Sequence, residues 1–127
     1  MTQKDKELLL KDICGRLPYG VKVQVFNYGI ETIEHLYQID LDGYISTIES
    51  DELKYPYKPY LFPLSSMTEE QWKEYQTLKM TDWVEGDING VFINAGTITD
   101  WLNKNHFDYR GLIEKGLAID ATNLNIY

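Results

Sequence analysis

Two stretches in which apolar and polar residues alternate constrain the fold of this chain more than any other feature. Val21, Val23 and Val25 are separated by single polar residues, which is the side-chain period of a β-strand. A second stretch places these residues on one face: Ile33, His35, Tyr37, Ile39 and Leu41. Its other face is polar, with Glu34, Gln38 and Asp40. Turn residues at 27–29 separate the two stretches, and the chain continues through a second turn, so the pattern predicts an antiparallel three-stranded meander.

The dipeptide Asp42-Gly43 predicts the register of the second hairpin. A two-residue type I′ turn requires positive φ at both positions, and it would pair Leu41 with Tyr44. The predicted buried face then contains Tyr37, Ile39, Leu41, Tyr44 and Ile48. His35 falls on this face opposite Ser50, which favours a hydrogen-bonded core histidine over a ligand.

Capping signals predict the helices. Thr2 and Asp5 form a capping box for a helix over roughly residues 3–14, which Gly15 and Pro18 would end. Its predicted buried stripe is Leu10, Ile13, Cys14 and Leu17. Thr68 and Gln71 open a second helix to about residue 80, with a partly buried face of Trp72, Tyr75, Leu78 and Lys79.

The rest of the chain carries weaker signals. Three of the four prolines lie in residues 55–63, which predicts extended or polyproline backbone without a regular element. Asn89-Gly90 indicates a short hairpin within residues 81–96. Thr97 and Asp100 can cap a short helix, and Asp108 can cap a further turn that carries Leu112 and Ile113 and ends at Gly116.

These elements fit one α+β domain over residues 1–127. A chain of 127 residues that is 43% hydrophobic can bury a single core of ordinary size. The predicted architecture is an N-terminal helix, an antiparallel three-stranded meander, and C-terminal helices packed on one sheet face.

Charge and cysteine content exclude several function classes. The formal net charge is −8, which disfavours direct contact with nucleic acid or anionic lipid. The single cysteine, Cys14, cannot form an internal disulfide, and its place on the helix stripe predicts a buried small hydrophobe. With no long apolar run and a charged N-terminus, the sequence predicts a cytoplasmic protein without a membrane segment.

Three segments resemble a family of small uncharacterised proteins carried by gut Bacteroides-type bacteria and their phages or mobile elements. The segments are residues 12–21 (DICGRLPYGV), 58–70 (KPYLFPLSSMTEE) and 100–118 (DWLNKNHFDYRGLIEKGLA). The resemblance covers most of the chain in the same order. It implies a phage or mobile-element context, and it transfers no catalytic residue.

The residues His106, Asp108 and Arg110 are the candidate catalytic group. A histidine, a carboxylate and a guanidinium could supply a general base, its orienting partner and an anion clamp. The simpler interpretation is structural, with Asp108 capping the next turn and Phe107 packed inward. With only two histidines, a histidine-rich metal site is improbable, and we expect no metal and no cofactor. Asp40 to Asp51 has the length of a calcium loop, but Gly43 stands at its fourth position instead of the sixth, which favours a hairpin.

Two features indicate binding instead of catalysis. Between Lys22 and Lys54 there are seven carboxylates and no lysine or arginine, and the candidate acidic face comprises Glu34, Asp40, Asp42, Glu49 and Asp51. A stiff aromatic segment follows, with Tyr55, Tyr57, Tyr60 and Phe62. Each feature also has a structural interpretation, as a solvated sheet face and as a lid on the core.

The sequence therefore predicts a small acidic cytoplasmic interaction protein with a protein partner, which could be basic. The alternative is an enzyme of unrecognised class that uses His106, Asp108 and Arg110.

Overall fold

The predicted α+β architecture is confirmed in the computed structural model, which describes residues 2–40, 42–54, 56–84 and 98–127. Helix α1 spans Gln3–Arg16, α2 spans Glu69–Val84, and residues 98–104 form α3. Within the described residues the sheet has six strands: β1 Lys22–Asn27, β2 Ile30–Ile39, β3 Ile45–Thr47, β4 Tyr57–Pro63, β5 Phe107–Asp108 and β6 Ile119–Asp120. Short 3-10 turns lie at Leu17–Tyr19 and Leu64–Ser66.

Helix α1 begins at the predicted capping box. The Thr2 hydroxyl accepts the Asp5 N–H at 3.1 Å, and the Asp5 carboxylate accepts the Thr2 N–H at 3.3 Å. The helix passes through Gly15 to Arg16, two residues beyond its predicted end. Its buried residues are Leu9, Asp12, Ile13 and Arg16, so the predicted stripe is wrong in part. Cys14 in particular is exposed. The buried face of the helix instead includes Asp12 and Arg16, whose opposite charges neutralise each other.

The first hairpin forms as predicted. Asn27 pairs with Ile30, and the two residues between them, Tyr28 and Gly29, both have positive φ (53° and 76°), which matches the twist of the flanking strands. The three predicted valines of this strand region are buried, with at most 1% exposure.

The second hairpin has a different turn and register from the prediction. Ile39 pairs with Ile45, one residue away from the predicted partner, and the Asp40 N–H donates to the Tyr44 carbonyl across a three-residue loop. The Asp40 carboxylate explains the longer loop, since it accepts the N–H groups of Asp42 and Tyr44 at 2.9 and 3.1 Å. Gly43 has the expected positive φ, at 86°.

The predicted inner and outer faces of β2 are reversed over most of the strand. Glu34 and Leu36 point into the protein, with 4% and 5% exposure, whereas Tyr37 is 66% exposed. A bulge between Leu36 and Gln38 then shifts the alternation by one residue. Ile39 therefore packs against the core despite its odd number. Among the other residues predicted to be buried, Tyr44 is half-buried, Ile48 is 72% exposed, and Leu41 lies outside the described residues.

The proline-rich segment is a strand, contrary to the prediction. β4 pairs antiparallel with β1, with Pro59 opposite Val23. Proline is compatible with extended backbone, and the strands on the other side of β4 begin pairing only at Tyr60, so Pro59 interrupts no ladder there. β5 and β6 both pair with β4 in parallel.

The strand order is β3-β2-β1-β4-β5, with β6 also on β4. One core joins α1, the sheet and the C-terminal segment: Leu9, Ile13, Val21, Val23, Val25, Leu36, Ile45, Tyr57, Leu61, Leu112, Leu117 and Ala118. Because α1 and the C-terminal segment contribute to the same core, they cover the same face of the sheet.

Helix α2 begins at the second predicted capping box, in which the Gln71 N–H donates to the Thr68 hydroxyl at 3.1 Å. It continues to Val84, so residues 81–84 are helical, and the predicted hairpin at Asn89-Gly90 lies outside the described residues. Stacked rings connect α2 through α3 to β5, with Tyr75 5.9 Å from Trp101 and Trp101 5.6 Å from Phe107. No helix in the described ranges is long and apolar enough to span a membrane.

Candidate functional site

Glu34, predicted to belong to the exposed acidic face, is buried. Its two carboxylate oxygens accept hydrogen bonds from the hydroxyls of Thr32 and Thr47, each at 2.6 Å. Burial raises the pKa of Glu34, but hydrogen bonds from Thr32, Thr47 and Ser50 outweigh it and hold this pKa below the ordinary 4.5. Glu34 is therefore an ionised group of the protein interior and is not available to a partner.

Glu49 and His35 form an exposed pair on the other face of β2. The His35 ring contacts the Glu49 carboxylate at 2.6 Å, and the backbone N–H of His35 donates to the same carboxylate at 3.1 Å. The His35 and Glu49 side chains are 48% and 40% exposed, so the prediction of a core histidine is wrong. Partial burial raises the pKa of Glu49, but the bonds from His35 lower it below its usual value.

The remaining acidic residues border a groove beside β2 and β3. A cavity of about 450 Å³ is lined by Gln38, Asp40, Tyr44, Ser46, Asp51 and Glu52. Ser46 lies between the buried Ile45 and Thr47, so the groove is on the outer side of the sheet. Asp42 is exposed on the neighbouring turn. Three carboxylates thus converge where the sequence predicted an acidic face.

The outer face of the meander also carries exposed apolar residues that sequence reasoning assigned to the core. Ile33 is 47% exposed, Tyr37 66% and Ile48 72%. The Ile48 N–H donates to the His35 carbonyl at 2.9 Å, so Ile48 lies beside His35, the residue midway between Ile33 and Tyr37. We call Ile33, Tyr37 and Ile48, with the groove and the His35–Glu49 pair, the outer meander face.

The aromatic segment is largely a part of the core. Tyr57 and Tyr60 are 1% and 3% exposed, and the Tyr57 hydroxyl donates to the Gly43 carbonyl at 2.6 Å. Phe62 is half-buried against Phe107 and Tyr127, and Tyr55 lies outside the described residues. Tyr57 and Tyr60 therefore cannot form the exposed aromatic surface that the sequence suggested, because they close the sheet next to β1.

His106, Asp108 and Arg110 do not form a joint site. The Asp108 carboxylate accepts the N–H groups of Leu112 and Ile113, both at 2.9 Å, as its predicted capping role requires. Arg110 turns to Asp12, whose carboxylate it meets at 2.8 Å. His106 stacks on another ring, and Phe107 is buried as predicted. The three candidate catalytic side chains thus serve three separate structural contacts.

The contact made by Arg110 belongs to a buried charge network that sequence reasoning missed. Arg16 binds the Asp12 carboxylate through two nitrogens, at 2.8 and 3.1 Å, and donates to the Phe107 carbonyl at 2.6 Å. Arg110 also donates to the Tyr109 hydroxyl at 2.9 Å. The four-residue spacing of Asp12 and Arg16 was the available signal for the first pair, but the predicted helix ended before Arg16.

His106 lies on the last aromatic ring of the chain. Its ring is stacked on Tyr127 with 3.7 Å between centroids and an interplanar angle of 13°. Burial, together with the cations of Arg16 and Lys22, lowers the pKa of His106 from 6.5 to about 4, so the imidazole is neutral at pH 7. The Tyr127 hydroxyl accepts the Lys22 N–H at 2.8 Å and donates to the Tyr60 carbonyl at 2.7 Å. Burial raises the pKa of Tyr127.

A cavity of about 370 Å³ opens beside this stack. Its aromatic walls are Phe62, Phe107 and Tyr127, with His106 beside them, and its polar lining includes Thr68, Gln71, Lys104 and Asn105. The start of α2, the end of α3 and the C-terminal segment meet here. Neither here nor at any other place in the described ranges do three or more His, Cys, Asp or Glu side chains come together in a group that could hold a metal ion.

Comparison with known proteins adds no relative: the chain matches no protein-family model, no curated protein and no solved structure. The functional interpretation therefore depends on the geometry of the outer meander face and of the His106 cavity.

Proposed function

We propose that this chain is a small acidic interaction protein whose outer meander face binds a basic protein partner. The observation that carries the proposal is the placement of Ile33, Tyr37 and Ile48 around His35 on one sheet face, with 47–72% exposure. Several large apolar side chains exposed on one sheet face mark a contact site, because their burial against a partner is favourable.

The charges around these residues support a basic partner over a second copy of the chain. Asp40, Asp51 and Glu52 line the adjacent groove. The lysines beside the face make contacts of their own, since Lys22, opposite His35, bonds the Ile126 carbonyl and Lys54 lies over the Tyr44 ring. Two copies would bring like charges together, whereas a basic surface would meet opposite charges. Such a field speeds encounter more than it strengthens the final complex.

Affinity purification from a host that carries the chain, followed by binding measurements with each purified candidate, tests this proposal. The apolar variant Tyr37→Ser with Ile48→Ser should raise the dissociation rate, and the acidic variant Asp42→Asn with Asp51→Asn and Glu52→Gln should slow association. Higher salt should also slow association, because the Debye length shrinks from ~10 Å at 0.1 M to ~3 Å at 1 M.

Two control variants distinguish the contribution of the outer meander face from the general effect of losing charge or apolar surface. Glu7→Gln with Glu74→Gln and Glu114→Gln removes the same charge from other exposed positions, and Trp72→Ser removes a half-exposed ring from α2. A partner that binds the apolar and acidic variants as it binds the unmodified protein would contradict the proposal.

The setting of this interaction is a further part of the proposal. The single cysteine supports a reducing compartment, the cytoplasm. The three segments that resemble phage and mobile-element proteins support an adaptor that such an element directs at a host component.

A further inference from the structure

The cavity beside His106 differs in chemistry from the rest of this acidic surface. Its described lining contains no aspartate or glutamate, and its one formally charged side chain is Lys104. The Asp120 carboxylate is adjacent, but it already accepts the N–H and the hydroxyl of the lining residue Thr122. Three other cavities each contain at least one acidic residue: Asp40 in the first, Asp42 in the second and Glu31 in the third. In a chain of net charge −8, an acid-free cavity is a local exception.

The cavity has more hydrogen-bond donors than the protein uses. Among the described residues, no carboxylate lies within ion-pair distance of the Lys104 ammonium. The capping box occupies the oxygen atoms of Thr68 and Gln71, since each accepts a backbone N–H. The Gln71 amide N–H groups and the Lys104 ammonium remain as donors, so the lining is suited to a ligand that accepts hydrogen bonds.

Cations lie close to the His106 ring beside the cavity. The buried network next to His106 holds two guanidiniums, Arg16 and Arg110, against the single carboxylate of Asp12. Burial, followed by the charges of Arg16 and Lys22, lowers the pKa of His106 to about 4, so the ring is neutral at pH 7. Attraction of an anion by Lys104 would therefore not require protonation of His106.

The walls favour a flat ring. Phe62, Phe107 and Tyr127 line the cavity, and its 370 Å³ is within the range of small-molecule sites. Aromatic walls provide edge and face contacts for another ring, while a few polar groups at one side orient it.

We propose that this cavity binds a small aromatic carboxylate, with the ring against Phe62, Phe107 and Tyr127 and the carboxylate toward Lys104 and Gln71. The site is separate from the outer meander face, so it does not depend on the proposed protein partner.

Titration of the full chain with benzoate, monitored by amide resonances in nitrogen-15 NMR spectra, tests the assignment. Benzoate should cause saturable shifts at Thr68, Gln71 and residues 104–107. Benzamide keeps the ring and removes the charge, and acetate keeps the charge and removes the ring. Each should bind at least about fivefold more weakly than benzoate, the loss expected for one partly exposed charge or ring contact.

Two variants test the role of charge without disturbing the fold. Lys104→Gln should weaken benzoate about fivefold and leave benzamide unchanged. Gln71→Glu keeps the capping box, in which glutamate and glutamine are equivalent, but adds a carboxylate to the lining. Gln71→Glu should therefore weaken benzoate binding more than Lys104→Gln does, while the thermal stability of the protein stays unchanged. Lys115→Gln removes an exposed lysine outside the cavity lining and should change nothing.

Three results would overturn the proposal. The first is benzoate and benzamide binding with equal affinity, the second is saturable shifts confined to residues outside the cavity, and the third is the absence of saturable binding. Unchanged benzoate affinity in both charge variants would overturn the assigned orientation and with it the anion specificity.

Discussion

The carboxylate of Asp12 and the guanidinium of Arg16 form a two-point ion pair in which neither side chain has any solvent exposure. Arg110, 98 residues away from Asp12 in the chain, binds the same carboxylate from the C-terminal segment. Asp12 thus joins the first helix to the last part of the fold. Removing it leaves two guanidiniums without an anion, one of them fully buried.

We expect Asp12→Asn to lower the free energy of unfolding by about 3 to 5 kcal/mol, the usual cost of removing one partner of a buried ion pair. Urea unfolding at pH 7 measures this loss. Glu7→Gln, an exposed change in the same helix, should cost less than about 0.5 kcal/mol. A loss below about 1 kcal/mol for Asp12→Asn would show that the pair is not needed for the fold.

Glu34 supplies a second prediction, because it is ionised inside the protein. Glu34→Gln should lower the free energy of unfolding by about 1 to 3 kcal/mol at pH 7, since one of the two threonine hydroxyls then faces an amide NH₂ group. Glu31→Gln, on the exposed side of the same strand, is the matched control.

The same substitution should change the acid sensitivity of the protein. The pKa of Glu34 is lower in the folded state than its ordinary 4.5, so its contribution to stability is complete above pH 4.5 and is lost as pH falls through the lower, folded-state value. The unmodified protein should therefore lose more stability between pH 7 and 3 than Glu34→Gln does. If the stability of the two proteins declined in parallel between pH 7 and 3, Glu34 would not be ionised inside the folded protein.

The backbone of Gly43 has a conformation that favours glycine, and a side chain added there would contact Leu10. The φ of Gly43 is 86°, and a Cβ atom there would lie 3.7 Å from the Leu10 side chain. Gly29 has a similar φ of 76° with open space around it. We expect Gly29→Val to cost about 1 to 2 kcal/mol from backbone strain alone, and Gly43→Val to cost more, because its two methyl groups must also fit beside Leu10. Thermal unfolding of the two variants compares these losses, and equal losses would remove packing as a cause.

His106 should make the protein less stable in mild acid. Its pKa falls from 6.5 to about 4 on folding, so below pH 6.5 the unfolded chain takes up a proton that the folded chain refuses. Stability should decline from pH 6.5 toward 4 for this reason. His106→Asn, which tolerates the positive φ of 62° at this position, should remove the part of the decline between pH 6.5 and 5. Urea unfolding at pH 7, 6 and 5 tests this, and an unchanged slope in the variant would refute it.

The elements that sequence reasoning predicted correctly depend on neighbours within a few residues. The capping boxes at Thr2 and Thr68 and the cap at Asp108 need only a side chain and the amides that follow it. The alternation of valine with polar residues along β1 likewise predicts which side chains are buried. Such signals do not require knowledge of the rest of the fold.

The hairpin at Asp40 to Tyr44 was missed for a local reason, but the errors at Glu34 and in the charge network involve contacts between different segments. The bulge after Leu36 divides β2 into two halves of opposite alternation, and hydroxyls from two strands make the burial of Glu34 possible. The alternation of apolar positions therefore predicted the wrong buried face for β2. In the same way, Asp12 and Arg16 carry a local pairing signal, but their burial depends on Arg110 and Phe107 from the far end of the chain.

The position of β4 between early and late strands determines the order in which the sheet can assemble. Phe62 pairs with Phe107 and Tyr60 with Ile119, which are 45 and 59 residues later, whereas the meander hairpins close across only a few residues. Closing a longer loop costs more chain entropy, so the parallel pairs should form after the hairpins. Until they form, one edge of β4 presents unpaired backbone groups that another chain can extend. The interval before the C-terminal strands dock is therefore the stage at which aggregation competes with folding.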